Sequence, residues 1–319
     1  MDFVMQNFWQ NLPKPFFVLA PMEAVTDVVF RHVVAKAAPA DVYFTEFTNA
    51  TSFANPKGQH STRGRLEFTS DEQPMVAQIW GAVPEHFAFM ASELKKMGFA
   101  GIDINMGCPD KAVIKTGSCS ALIENHSLAA EIIAATKEGG LPVSVKTRLG
   151  FKTQKTEEWG RFILEQDLAA LTIHARTQKE MSKVPARWEE IAKIVKLRDE
   201  IAPNTLIIGN GDVQDRQHAE ALAQEYGVDG IMIGRGIFQN PFAFEKESQD
   251  HSKEELIGLL NLQLDLYDKA IQKHSRKFDP LKRFFKIYIR GFAGASELRA
   301  QLMQCKTTTE VRQLLEKAK

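Results

Sequence analysis

Short apolar runs rich in β-branched and aromatic residues recur along the chain, at 16–20, 42–45, 75–79, 101–104, 143–146, 170–173, 206–209 and 230–233. They begin roughly every 30 residues, the length of one strand-plus-helix unit. Between them apolar positions return at helical spacing. In one unit Ser127 is a candidate helix cap, 128–138 is rich in alanine and core residues at helical spacing, Gly139 and Gly140 stop the helix, and Pro142 blocks its continuation. Eight such units in about 240 residues predict a parallel (β/α)8 TIM barrel in preference to an open doubly wound sheet. From about Lys246 strand character is lost, and 254–271, 284–292 and 311–315 carry apolar residues at helical spacing. The expected organisation is a barrel over 1–245 followed by a smaller helical domain over 246–319.

The hydrophobic pattern also breaks in a regular place. Glu46, Gln78, Asn105, Lys146, His174 and Asn210 stand where apolar runs stop. In a barrel those positions line the C-terminal mouth, where active sites of this fold are built. The rival open sheet needs a dinucleotide fingerprint in its first turn. Gly209-Asn210-Gly211 and Gly234-Arg235-Gly236 begin like one, but Gln214 and Gln239 replace the third glycine and both lie late in the chain. As exits of the seventh and eighth strands they are either two tight turns or a phosphate cradle, with Arg235 adding charge. A monophosphate cofactor such as FMN suits that placement better than NAD. Lys146, ending the fifth strand, is placed to lie against the N1–C2=O edge of a flavin or simply to leave the core. His174 and Arg176, two apart in an extended segment, point the same way, either toward one anion or carbonyl-rich ligand or with the histidine simply satisfied by a backbone carbonyl.

Bulk properties narrow the setting. The 319 residues are 44 % hydrophobic and 25 % charged, with 40 basic and 40 acidic side chains and no net charge. A polycationic coat is excluded, while a local basic patch is not. No apolar run of about 18 residues would span a membrane. The N-terminus lacks the basic start and continuous apolar core of a secretory signal. Cysteines at 108, 119 and 305 fit neither a zinc site nor a disulfide framework, which points to a reducing cytoplasm. Cys108 stands apart, flanked by Gly107 and Pro109 at the exit of the fourth strand. A free thiol has a pKa of about 8.5 and is mostly protonated at neutral pH. It can therefore give a proton to a C=C bond whose far end has received a hydride. Cys119 and Cys305 read as structural.

Taken in order, Ala20-Pro21-Met22, Asn105-Met106-Gly107-Cys108-Pro109, Val145-Lys146-Thr147-Arg148, His174-Ala175-Arg176, Gly209-Asn210-Gly211-Asp212 and Gly234-Arg235-Gly236 resemble the tRNA-dihydrouridine synthase family over roughly residues 15 to 245. The resemblance implies an FMN-dependent barrel with a helical C-terminal domain, which reduces the C5=C6 bond of uridines in tRNA with NADPH as reductant. It implies that Ala20, Pro21, Met22, Gln78, Lys146, His174, Asn210, Gly211, Asp212, Gly234 and Arg235 hold FMN. It implies further that Cys108 protonates C5, with Asn105, Lys146, His174 and Arg176 near the uracil. The tail supports an RNA partner: Lys273, Arg276, Lys277, Lys282, Arg283, Lys286 and Arg290 face one acid, Asp279, with Phe284, Phe285 and Tyr288 interleaved. Lys282, Arg283, Lys286 and Arg290 are the expected phosphate contacts, and the aromatics the packing of the helical core. A monomer with no DNA or membrane partner is expected. Two other readings remain: a flavin barrel acting on a free pyrimidine, like dihydroorotate dehydrogenase, and an RNA-binding scaffold without turnover.

Overall fold

Both faces of every strand are buried, and this explains why the strands read as near-continuous apolar runs. The computed structural model describes residues 7–274 and 277–318. It contains eight barrel strands: β1 (Phe16–Leu19), β2 (Val42–Phe44), β3 (Met75–Trp80), β4 (Gly101–Asn105), β5 (Val143–Arg148), β6 (Ala170–His174), β7 (Leu206–Asn210) and β8 (Gly230–Ile233). All pair in parallel with their neighbours. Pairing of β1 with β8, Phe16 opposite Gly230, and of β2 with β3, Tyr43 opposite Met75, closes the cylinder. A two-residue bridge, Thr48–Asn49, adds to the end of β3 at Ile79 and Trp80.

Alternation along the strands makes two cores. Outward residues such as Phe17, Ala77, Ile104, Val145 and Ile207 pack under the helices, and inward residues such as Phe16, Val18, Val76, Ala170, Ile208 and Met232 fill the barrel. The bottom is plugged by a feature absent from the sequence reading. The 3-10 turn Phe8–Asn11, capped by Asn7, places Trp9 fully buried against Phe16 and Phe44, ring centroids 5.9 and 6.4 Å away.

The helix over His126–Lys137 is capped by Asn125, whose Oδ1 accepts from the Leu128 N–H, and not by Ser127, whose hydroxyl binds Glu131. Cap-type residues two apart leave the start ambiguous in sequence. The tail comprises helices Lys253–His274, Phe285–Tyr288, Ala295–Leu302 and Thr308–Lys317, with a 3-10 turn at Asp279–Phe284. The stretch expected to be helical over 284–292 ends at Tyr288. Ile289 leaves helical geometry at φ −93°, ψ 80°, and Gly291 and Gly294 follow at φ of +75° and +78°, so no helix resumes before Ala295.

The tail shares one buried core with the helices around the barrel. It sits beside the ends of β8, β1 and β2. Phe284 meets Phe30 at 5.0 Å, Arg283 Nη1 donates to the Ala24 carbonyl at 2.8 Å, Arg290 donates to the Gln239 carbonyl, and Lys273 pairs with Glu67 at 2.6 Å. Among the described residues no helix is long and apolar enough to cross a membrane.

Candidate active site

The inner face of the barrel turns polar one layer below the mouth. Gln78 lies opposite Asp103, which lies opposite Ser144, and Asn105 lies opposite Lys146. Ser144 Oγ and Gln78 Nε2 each donate to Asp103 at 2.7 Å, and Asn105 Nδ2 donates to Gln78 Oε1 at 3.0 Å. Asn105 Oδ1 then accepts from the N–H groups of Gly107 and Cys108 at 3.0 and 2.9 Å. A chain of buried hydrogen bonds thus runs from the barrel interior to the backbone of the cysteine loop. Burial pushes the Asp103 carboxyl up to about 6, against the lowering effect of its two donors. Gln78 is fully buried within this ladder and does not reach the open cleft described below. Glu46 is also buried, and it accepts from the Ala24 N–H at 2.7 Å, tying down the loop after β1.

Arg148 holds the cysteine loop from the other side. Its Nε donates to the Gly107 carbonyl at 2.7 Å, and its Nη1 donates to the Thr177 and Met181 carbonyls at 3.1 and 3.0 Å. Ser120 Oγ donates to the Cys108 carbonyl at 2.7 Å. Asn105, Arg148 and Ser120 thus fix the loop, and Cys108 is half-buried and in no disulfide. Its pKa is lowered to about 7, first by a hydrogen bond from the Cys119 thiol, then by the Asp110 N–H and the Arg148 charge, against burial. The thiol is thus more acidic than the free thiol expected from sequence. Cys119, which reads as merely structural in the sequence, is fully buried with φ of +54° and faces Cys108.

Above the ladder a cleft of about 700 Å³ opens at the ends of β1, β5, β6, β7 and β8. Ala20, Pro21, Met22, Lys146, His174, Asn210, Gly211, Asp212, Gly234 and Arg235 all line it. Its floor demands glycine. Gly211 has φ of +136°, and a Cβ there would sit 2.8 Å from the Ala186 methyl. A Cβ on Gly236 would lie 2.3 Å from the Gln214 carbonyl oxygen.

Lys146 Nζ donates to Asn210 Oδ1 at 3.2 Å, and Asn210 Nδ2 donates to the Met232 carbonyl at 2.9 Å. Burial and then Arg148 bring the ammonium down to about 8, so it stays mostly charged at neutral pH. His174 is held well below its ordinary pKa by burial and by the charges of Arg148, Lys146, Arg176 and Arg235. It is therefore neutral. Arg176 Nη1 lies 3.0 Å from His174 Nε2, and a guanidinium only donates, so Nε2 accepts and Nδ1 carries the proton. Arg176 is buried, and it also donates to the Val184 carbonyl at 2.6 Å and to Asp212. Its guanidinium is thereby shared among His174, Asp212 and the Val184 carbonyl. Asp212 takes a further bond from Arg235 at 2.9 Å and one from the Ala186 N–H at 3.0 Å. Two cations, Lys146 and Arg235, and two carboxylates, Asp212 and Asp215, line the cleft, and the buried guanidinium groups of Arg148 and Arg176 add positive charge beside His174.

The tail cations lie apart from this cleft. Lys282, Arg283 and Lys286 join Arg299, Ser296 and Met303 around a second cleft of about 440 Å³. Lys282 pairs with Asp279 at 3.0 Å, and Lys286 Nζ lies 5.3 Å from the Phe238 ring centroid. Arg283 and Arg290 brace the tail against the barrel through the carbonyls named above. Phe284, Phe285 and Tyr288 are buried, as packing requires. Arg276 lies outside the described residues. Asp103, Arg148 and Cys119 are the site groups the sequence reading passed over. Asp103 carried a usable signal, a carboxylate inside an apolar strand.

A closed barrel with a polar cleft and an acidified thiol at one mouth is the arrangement of an enzyme of the (β/α)8 class. Residues 18–319 match the family model described as dihydrouridine synthase. A Staphylococcus epidermidis protein described as a probable tRNA-dihydrouridine synthase is 60 % identical over 312 residues, covering 98 % of this chain and 96 % of its own. A Bacillus subtilis protein described as probable tRNA-dihydrouridine synthase 2 is also 60 % identical over 312 residues, with the same coverage. The solved complex of 2-naphthoyl-CoA reductase with 2-naphthoyl-CoA shares the fold, with a TM-score of 0.54 and 10 % identity over 72 % of this chain and 49 % of that one. The chain belongs to the dihydrouridine synthase family and is a flavin-dependent oxidoreductase.

Proposed function

We propose that this chain reduces the C5=C6 bond of uridines in tRNA, with FMN held in the mouth cleft, NADPH as reductant and Cys108 as the proton donor. The observation that carries the reading is the pairing, at one barrel mouth, of a fixed and acidified thiol with a glycine-floored cleft that holds Lys146 and Arg235. Gly211, Gly234 and Arg235 are suited to the cofactor phosphate, because glycine lets backbone N–H groups approach and Arg235 adds charge. Lys146 suits the N1–C2=O edge of the ring, and Ala20, Pro21 and Met22 its apolar body. The cleft volume falls within the range of small-ligand sites, about 300–1,000 Å³. FMN, when bound, supplies the hydride that goes to C6 of the uracil.

The chain's own residues complete the reaction. Cys108 Sγ–H gives its proton to C5 as that carbon gains electron density. Cys119, the Asp110 N–H and Arg148 stabilise the thiolate left behind. Asn105 keeps the loop at one height through two backbone N–H bonds. His174, neutral with Nδ1–H free, is a donor for a carbonyl of the pyrimidine. A uridine must leave its stack to reach this depth, so the target nucleotide is extruded. Residues 1–245 serve catalysis, and 246–319 serve tRNA binding through Lys282 and Lys286. The enzyme acts as a cytoplasmic monomer.

The test incubates purified protein with NADPH and an unmodified tRNA transcript, then maps nucleosides by mass. The expected result is a uridine carrying two extra hydrogens and release of FMN on denaturation. Reduction of free uracil or orotate with tRNA left untouched would replace this reading with the free-pyrimidine one.

A further inference from the structure

Outside both clefts named so far, four lysines meet around one concavity of about 500 Å³. Lys111 and Lys115 follow β4, Lys152 follows β5, and Lys179 follows β6. All four are exposed, and Ile114 and Phe151 form a half-buried apolar floor between them. No acidic side chain lines the concavity. The acids adjoining these lysines in sequence, Asp110 and Glu180, are engaged elsewhere: Asp110 turns its carboxylate to the N–H groups of Ala112 and Val113, and Glu180 pairs with Arg187 at 2.7 Å. Four like charges around one hollow repel each other, and nothing among the lining residues offsets them.

Their place in the barrel gives this charge a use. The loops after β4, β5 and β6 are centred on β5, while the tail packs beside the ends of β8, β1 and β2, centred on β1. In a cylinder of eight strands β1 and β5 lie on opposite sides. The lysine hollow therefore faces the tail across the mouth, on the side of Cys108. Gln178, which also lines it, donates to the Pro109 carbonyl at 3.3 Å and so joins the hollow to the cysteine loop.

We propose that this hollow is a second RNA-binding surface, which grips the phosphates of the strand flanking the extruded uridine on the side away from the tail. The proposal rests on the tRNA reading above. Phosphate charge complements the lysines, and Ile114 with Phe151 offers an apolar face to a ribose or base. Gripping the strand on both rims would hold it taut over the opening through which the nucleotide enters.

The experiment compares the full-length flavoprotein with a fourfold variant, Lys111→Gln, Lys115→Gln, Lys152→Gln and Lys179→Gln, measuring tRNA affinity over a range of salt concentrations. Each lost phosphate contact removes about 0.7–0.9 from the slope of log K against log salt, so the slope falls by about 3 and low-salt affinity drops at least about tenfold. Visible flavin absorbance and melting temperature should match wild type. If the fourfold variant does not fold, Lys152→Gln with Lys179→Gln is measured instead, with about half the slope change expected. Unchanged slope and affinity would overturn the proposal. So would unchanged RNA binding with a raised KM for NADPH, which would assign the hollow to nucleotide phosphates of the reductant. Failure of wild type to bind tRNA at all would instead sink the functional reading itself, and this surface with it.

Discussion

Removing the Cys119 sulfur tests how the reactive thiol is tuned. Its hydrogen bond is the largest influence lowering Cys108 to about 7. A hydrogen bond to a charged group contributes about 1.5–3 kcal/mol, and one pKa unit corresponds to about 1.4 kcal/mol. Cys119→Ala should therefore raise the Cys108 pKa by about one to two units, toward an ordinary thiol. Cys119→Ser keeps a donor at the same place and should hold the pKa near that of wild type. The assay is the rate of iodoacetamide alkylation at Cys108 against pH, read by peptide mass mapping. A general acid with this pKa also predicts that dihydrouridine formation declines above about pH 7 in wild type, as the thiol loses its proton, and at higher pH in Cys119→Ala. The reasoning fails if the alkylation midpoint is the same in wild type and Cys119→Ala, or if Ser shifts it as far as Ala.

Two further substitutions probe the scaffold. Asn105→Ala orphans the buried N–H groups of Gly107 and Cys108, at about 1–3 kcal/mol each. It should lower urea stability by several kcal/mol and activity by more than the lost stability explains, whereas wild-type values for both would show that the ladder does not hold the loop. Trp9→Ala empties the barrel bottom and should cost about 3–5 kcal/mol in denaturant unfolding, with kcat unchanged. A cost below about 1 kcal/mol would mean that Trp9 is not a plug.

The barrel was legible because strands buried on both faces leave apolar runs that no loop imitates. The mouth was legible because the inner face turns polar at its upper layer, where Lys146, His174 and Asn210 interrupt those runs. What escaped was set by contacts with no period in sequence. Trp9 reaches the barrel from a four-residue turn. Cys119 meets Cys108 only because a left-handed residue begins a 3-10 turn there. Gln78 lies in the buried ladder because the register sets it opposite Asp103, a pairing no single strand reveals. Arg283 and Arg290 read as phosphate contacts in sequence, and packing of the tail turns them onto barrel carbonyls.

The most direct measurement is single-turnover reduction of tRNA by protein pre-reduced with NADPH under anaerobic conditions, for wild type and Cys108→Ala. Proton donation by Cys108 predicts that the variant binds and reduces its flavin as wild type does, yet forms dihydrouridine about 10²–10⁴ times more slowly. Equal rates of dihydrouridine formation would show that the proton comes from another group.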